Sequence, residues 1–336
     1  MSRPSSGIAV MPTRRYVNEA GRGWPVHVFP APGELLSSWL HRLALANGVP
    51  PQYFGRVLRL TGTAWSGQLD RNLPGHVLDL LVEQAGIPAG VIAGLALGPD
   101  PLARLRLRLM IKPPKSIASG LQPTRMQYCP ACLTEDHAPY FRRSWTLATR
   151  VSCFRHGRRL RDRCPSCGSG IVPSRQDRLL PQHVCVRCDG DLRKRTVRAE
   201  HDVQKFEGLL DDLLRLHVAG HRMPGQTTLP ALLGATCFTV GTEPKSIAQL
   251  SLRDRQRLFR QLAEGSMPLH MRPDSLATPI WSRIARVAPT HMGLTKSLTT
   301  KIMARTVAGR DTRPARAELI DLMQTIGRLH SDRRAS

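Results

Sequence analysis

Seven of the eight cysteines fall between residues 129 and 188, and their spacing is the tightest constraint on what this chain can fold into. Cys129-x2-Cys132 is followed after 20 residues by Cys153-x2-His156. Seven residues later comes Cys164-x2-Cys167, and 17 residues after that Cys185-x2-Cys188. A two-residue gap lets two ligand atoms point at one ion from a tight turn, and two such turns complete a tetrahedron. The spacing therefore predicts two structural Zn2+ ions. One would be held by Cys129, Cys132, Cys153 and His156, the other by Cys164, Cys167, Cys185 and Cys188. Pro130, Pro165, Gly157 and Gly168 sit where such knuckles turn. An interleaved pairing is also compatible with the sequence, although it needs longer loops, and His137 and His183 lie close enough to substitute as ligands at poorer spacing. Cys237 stands alone in an apolar stretch.

Each set already supplies four protein ligands. A catalytic zinc keeps an open position for water, so this pattern points to metal that organises a fold. A disulfide framework fits less well. Residues 1–16 lack the apolar run of a signal peptide, which predicts a cytoplasmic chain where thiols stay reduced. No run of about 18 apolar residues predicts a membrane span. No Walker A loop, GxSxG, HExxH or Rossmann glycine run occurs, nor a convincing acidic metal triad, so no enzyme is expected.

Charge supplies the second constraint. The 336 residues carry 49 basic against 25 acidic side chains, a net +24, and 42 of the basic ones are arginines. Residues 101–200 hold 21 basic and 7 acidic side chains, whereas residues 1–100 hold 8 and 6. A cationic surface attracts a polyanion, and nucleic acid is the commonest one. The concentration around the cysteines singles out Arg142, Arg143, Arg155, Arg158, Arg159, Arg161, Arg193, Lys194 and Arg195 as candidate phosphate contacts.

Hydrophobic periodicity divides the chain. Residues 1–23 show none and read as an arm. Residues 24–112 read as helix-turn-helix-like: an apolar face at steps of three and four runs through Leu36, Trp39, Leu40 and Leu43, then Asn47-Gly48 and Pro50-Pro51. The pattern recurs 38 residues on, LALANGVP at 43–50 against LVEQAGIP at 81–88. If one helix reads a groove, Pro51–Leu60 is the candidate, through Gln52, Tyr53, Arg56 and Arg59. Residues 101–112 alternate arginine and leucine with period two, as in a strand, although a helix fits as well. Residues 113–200 form the double zinc module. Residues 201–328 read as a helical domain, with amphipathic helices over 202–217, 246–263 and 314–330, and 329–336 as a tail. The fold class is thus mainly α with small zinc-ribbon (α+β) modules.

Several stretches resemble the TniQ/TnsD family: Pro30-Ala31-Pro32-Gly33-Glu34-Leu35-Leu36-Ser37-Ser38-Trp39-Leu40-His41-Arg42-Leu43-Ala44, then Tyr128-Cys129-Pro130-Ala131-Cys132, Pro139-Tyr140-Phe141-Arg142-Arg143-Ser144-Trp145, Cys153-Phe154-Arg155-His156-Gly157 and Cys164-Pro165-Ser166-Cys167-Gly168. The family usually has Glu-Ser-Leu where this chain has Glu34-Leu35-Leu36. The likeness spans about residues 24–190. It implies a non-catalytic target-selection protein of DNA transposition that links a DNA site to an AAA+ ATPase regulator, and through it to the transposase. Some family members read DNA themselves. Others dock on a CRISPR effector complex, and members in those systems can form homodimers. The alternative to a DNA reader is therefore an adaptor with little DNA specificity of its own, with site choice left to a partner.

Overall fold

The computed structural model describes residues 23–60, 69–107, 126–224, 227–235, 237–240, 243–266, 278–291 and 313–335. The expected arm at 1–23, except its last residue, Arg108 to Lys112 and the loop up to 125 lie outside them.

The N-terminal block contains four helices, α1 (Leu36–Ala46), α2 (Pro51–Val57), α3 (Gly75–Ala85) and α4 (Ala89–Ala93). The recurring sequence pattern builds the same corner twice. Gly48 and Gly86 both adopt left-handed backbone, with φ of 69° and 65°, ending one helix. Pro50 and Pro88 then cap the next helix in extended conformation, where a missing N–H costs nothing. The helices close over Trp39, Leu40, Leu43, Phe54, Val77, Leu81 and Ile92, all fully or almost fully buried. Truncating one of these leucines to alanine would cost about 2–5 kcal/mol. The lead-in segment is tied across the block: Trp24 N donates to Gln84 O at 3.0 Å and Trp39 Nε1 to Val28 O at 2.7 Å.

Asp70 caps α1 from outside. Its carboxylate accepts from Ser37 N at 2.7 Å and Ser37 Oγ at 2.8 Å. Complete burial raises Asp70 to about 6 against these bonds and the nearby Arg71 charge.

A second core runs from Leu35 through the cysteine-rich segment into the C-terminal helices as far as Ile326. The cysteine-rich segment contains α5 (Pro130–Glu135) and the two-residue antiparallel strands β1 (Ser152–Cys153) and β2 (Arg158–Arg159). The C-terminal helices are α6 (His201–Val218), α7 (Leu229–Ala235), α8 (Leu252–Ala263), α9 (Thr278–Val287) and α10 (Arg313–Ala335). Phe206 of α6 meets Phe259 of α8 edge to face at 5.2 Å, and Trp281 of α9 lies 6.2 Å from Phe206. The zinc-ligand segment and the C-terminal helices therefore share one interior.

Two buried side chains join these halves. Glu207 of α6 accepts from Val151 N at 2.6 Å and Ser152 N at 2.9 Å, holding β1 in place. Arg255 of α8 is 1% exposed and donates to Ala148 O at 3.0 Å, Arg150 O at 3.3 Å, Leu250 O at 3.3 Å and Gln127 Oε1 at 3.1 Å. Burial lowers Arg255 to about 10, countered by the charges of Asp162 and Glu207.

Several expectations change. The helix expected over 246–263 is split, because Ser251 caps α8 by accepting from Asp254 N at 3.1 Å, after a short 3-10 turn at Ile247–Gln249. The tail expected at 329–336 is helical to Ala335, since α10 continues. The alternating segment at 101–112 gives a 3-10 turn at Ala103–Leu105 and a single bridge from Arg106 to Leu147. An antiparallel hairpin of β3 (Cys237–Val240) and β4 (Glu243–Ser246) was not anticipated, nor were α7 and α9. Among the described residues no helix is long and apolar enough to cross a membrane.

Candidate metal centres and basic surface

Three of the four ligand pairs fold into the same knuckle. In each, the residue after the second ligand takes a positive φ and donates its N–H to the carbonyl of the first. Gly157 N donates to Cys153 O at 2.7 Å, Gly168 N to Cys164 O at 2.9 Å and Asp189 N to Cys185 O at 3.0 Å. Asp189 fills a position where the other two knuckles have glycine, with φ of 56°. The fourth pair is different: Pro130 opens α5 directly after Cys129, and the first helical turn carries Cys132 round to face it.

The eight residues gather into the two sequential sets, not an interleaved one. In the first, His156 Nδ1 lies 3.5, 3.3 and 3.5 Å from the sulfurs of Cys129, Cys132 and Cys153, and Cys132 Sγ lies 3.7 Å from Cys153 Sγ. In the second, Cys164 Sγ–Cys188 Sγ is 3.7 Å and Cys167 Sγ–Cys185 Sγ is 3.8 Å. A tetrahedron with Zn–S of about 2.3 Å and Zn–N of about 2.0–2.1 Å has S···S edges of about 3.8 Å and S···N edges of about 3.6 Å. The donor atoms thus stand at the corners a zinc ion requires, and far beyond the roughly 2.05 Å of a disulfide. Both sets could hold zinc. Burial pushes the Cys185 thiol up to about 12, with the neighbouring Cys164 adding to the rise. A divalent cation reverses that preference and holds such thiols ionised. His137 and His183 lie outside both sets.

The first centre has a built outer layer. His156 turns Nε2 to Glu135 Oε1 at 2.8 Å, leaving Nδ1 for the sulfurs, and Glu135 Oε2 pairs with Arg155 at 2.7 Å. The family match covers the lead-in segment, α1 to α5 and this entire first centre. Residues 25–160 match the TniQ family model. No curated protein matches the chain significantly. The TniQ domain ends between the two centres, so the second centre and α6 to α10 lie beyond it. The domain ties the chain to transposition.

The loop between the last two knuckles braces the helices of the TniQ domain. Gln176 O accepts from Gln52 N at 2.8 Å, and Gln182 Nε2 donates to Ser38 O at 3.0 Å. His41 faces Pro173 O at 3.2 Å and Leu180 O at 3.0 Å, one carbonyl at each ring nitrogen. Burial lowers His41 to about 4 despite those carbonyls.

The arginine-rich residues separate by partner. Gln52, Tyr53, Arg56 and Arg59 all lie at the surface on or just after α2, with the Arg56 guanidinium 5.6 Å from the Tyr53 ring. Arg142 is half-buried and has partners within the chain. It pairs with Asp136 at 2.7 Å and stacks on Tyr140 and Trp145 at 4.1 and 4.8 Å. Arg143, also half-buried, donates to Gly94 O. Arg155 is exposed but bound to Glu135, and Arg193 pairs with Asp191 at 2.9 Å. Lys194 Nζ donates to Ser166 Oγ at 3.0 Å. Arg158, Arg159, Arg161 and Arg195 gather along one cleft.

Sequence reasoning missed Glu34, His41, Glu207 and Arg255. The Glu34 carboxylate is fully buried and accepts from Ala31 N at 2.8 Å, Ser38 Oγ at 2.9 Å and Arg42 Nη2 at 2.5 Å. Its signal was local: a carboxylate opening an apolar helix, with Ser38 four and Arg42 eight residues on.

Proposed function

We propose that this protein is a non-catalytic, zinc-folded target-selection adaptor of DNA transposition. It binds double-stranded DNA and links the chosen site to an AAA+ ATPase regulator, and through it to the transposase. The observation that carries the reading is the TniQ domain at residues 25–160, built around a four-ligand metal site. Zinc suits both donor sets, because thiolate and imidazole at tetrahedral corners match its chemistry. Its role is to hold the knuckles, which are too short to bury a core of their own. Four protein ligands leave no position for a metal-bound nucleophile, which supports a binding rather than a catalytic task.

A second reading is favoured by one observation. Arg142, Arg143, Arg155 and Arg193 are occupied by partners within the chain. An adaptor that leaves site choice to a partner, such as a CRISPR effector complex, needs fewer base-reading groups. Fluorescence anisotropy of the zinc-loaded protein decides between them, with a candidate attachment-site duplex and a scrambled duplex titrated at several salt concentrations. Preference for the attachment site supports direct reading through the exposed face of α2. Equal affinities that vanish together with salt support the adaptor. No binding to either duplex defeats the DNA-contact part of the proposal.

A further inference from the structure

The arginines of this chain sort by what neutralises them. Arg42, Arg106, Arg142, Arg150, Arg178, Arg193 and Arg215 each pair with a carboxylate. Others have no such pair among the described residues, Arg71, Arg143 and Arg163 donating to backbone carbonyls instead, and three of the unpaired ones meet in one cleft. A cleft of about 640 Å³ is lined by Arg158, Arg159, Arg161 and Arg195, together with Gln256 of α8. Among the described residues no carboxylate lies within ion-pair distance of Arg158, Arg161 or Arg195, and only Arg159 has one, Glu200.

These guanidiniums are nevertheless held in place. Arg158 Nη1 donates to Thr196 O at 2.6 Å, and Arg161 Nη2 to Arg195 O at 3.0 Å. A carbonyl fixes the direction of a guanidinium without cancelling its charge, and the remaining N–H donors stay available. The backbones are also fastened to each other. Arg159 N donates to Val197 O at 3.0 Å, Ala199 N to Gly157 O at 2.9 Å, and Arg158 bridges to Arg198. One wall leaves the first metal centre directly after His156, and the other leaves the second centre shortly after Cys188. Holding three uncompensated like charges together costs free energy in the empty protein, and a bound polyanion recovers it.

The geometry assigns this cleft as a grip for consecutive phosphodiester groups of a polynucleotide, gripped without regard to base sequence. The assignment rests on the proposed nucleic-acid contact and gives that contact a place away from α2.

The test compares charge-matched variants of the full, zinc-loaded chain. In one, Arg158, Arg161 and Arg195 become Gln. In the other, Arg178, Arg193 and Arg215, all paired with carboxylates, become Gln. Anisotropy is read on a random-sequence duplex across a salt series, with a structured RNA of equal length alongside. The cleft variant is expected to lose on the order of tenfold to a hundredfold affinity at low salt, and its salt slope to fall by about 2–3. The control variant is expected to lose severalfold at most. Arg195→Gln alone, which removes no side-chain hydrogen bond or ion pair among the described residues, is expected to lower the slope by about 1. Two zinc ions per chain and an unchanged melting temperature in that single variant separate ligand loss from unfolding. Cleft-dependent binding of either polynucleotide supports the assignment, and the tighter one names the source of the phosphates. Equal losses in the two triple variants, or an unchanged slope for Arg195→Gln, overturn it while leaving the TniQ-based function standing. Binding of polyglutamate with the same cleft dependence, and of neither polynucleotide, also overturns it. If the unmodified protein binds no polynucleotide at all, the cleft assignment and the DNA-contact part of the proposed function fall together.

Discussion

The two metal centres share a knuckle, used once in the first and twice in the second, but stand differently in the molecule. Three ligands of the first, Cys129, Cys132 and Cys153, are buried in the larger core, and its histidine is braced by Glu135. The second is shallower: Cys188 is exposed and Cys167 half-buried. Both centres place ligands in the larger core, Cys164 and Cys185 among them, but the second also closes a loop that reaches back to α1 and α2. The two centres differ in how many of their ligands that core covers, three in the first and two in the second.

Breaking the comparison at its strongest point means Cys132→Ser. The apparent free energy of a structural zinc site is about 10–16 kcal/mol, so this variant is expected to lose one ion and cooperative unfolding of the larger core. Metal analysis and a urea titration measure both. Cys188→Ser is expected to lose one ion as well, but to keep the larger core. Its effect should appear as faster hydrogen exchange in α1 and α2.

A smaller loss is expected from Arg255→Met. It leaves the carbonyls of Ala148 and Arg150 and the Gln127 amide without their donor, costing about 3–5 kcal/mol in chemical denaturation. Zinc content should stay at two ions, which distinguishes this brace from a ligand.

Acid sharpens the comparison through two buried groups of opposite sign. His41 is lowered from 6.5 to about 4, so the unfolded chain takes up a proton there that the folded chain refuses. Its contribution is lost as pH falls through that window. Asp70 is raised from 3.8 to about 6, so the folded chain keeps a proton that the unfolded chain releases. Its contribution is full below about 4 and lost as pH rises towards 6. Each is about 3 kcal/mol at full extent, and in the natural chain they oppose each other. His41→Gln should therefore make stability fall from pH 4 to 6 relative to the natural chain, and Asp70→Asn should make it rise. Denaturant titrations at several pH values read the difference.

The smallest effect belongs to Glu135→Gln. Chelator competition should show about 10–100-fold weaker metal affinity at the first centre, with the second unchanged.

Ligand spacing and the repeated glycine-proline corner were legible because both are local. A Cys-x2-Cys pair needs only one turn to be useful, and Gly48-Val49-Pro50 and Gly86-Ile87-Pro88 carry their own backbone instructions. The fate of each arginine was not legible. Arg142 and Arg158 look alike in the sequence, yet one meets Asp136 and two aromatic rings while the other meets only a carbonyl. That distinction is made by chain segments up to 38 residues away. Arg255 reaches across 107 residues to Ala148, so no local window could reveal it. The hairpin of β3 and β4 was missed because Pro244 and the short strands carry no alternating pattern.

The braces from α6 and α8 have a consequence for any attempt to move the TniQ domain between proteins. Val151 and Ser152, inside the matched segment, are held by Glu207, and Ala148 and Arg150 by Arg255, both outside it. A graft cut at residue 160 would transplant the metal ligands of the first centre but leave their scaffolding behind. A working chimera must carry α6 and α8 with it, because the border of family likeness and the border of folding do not coincide in this chain.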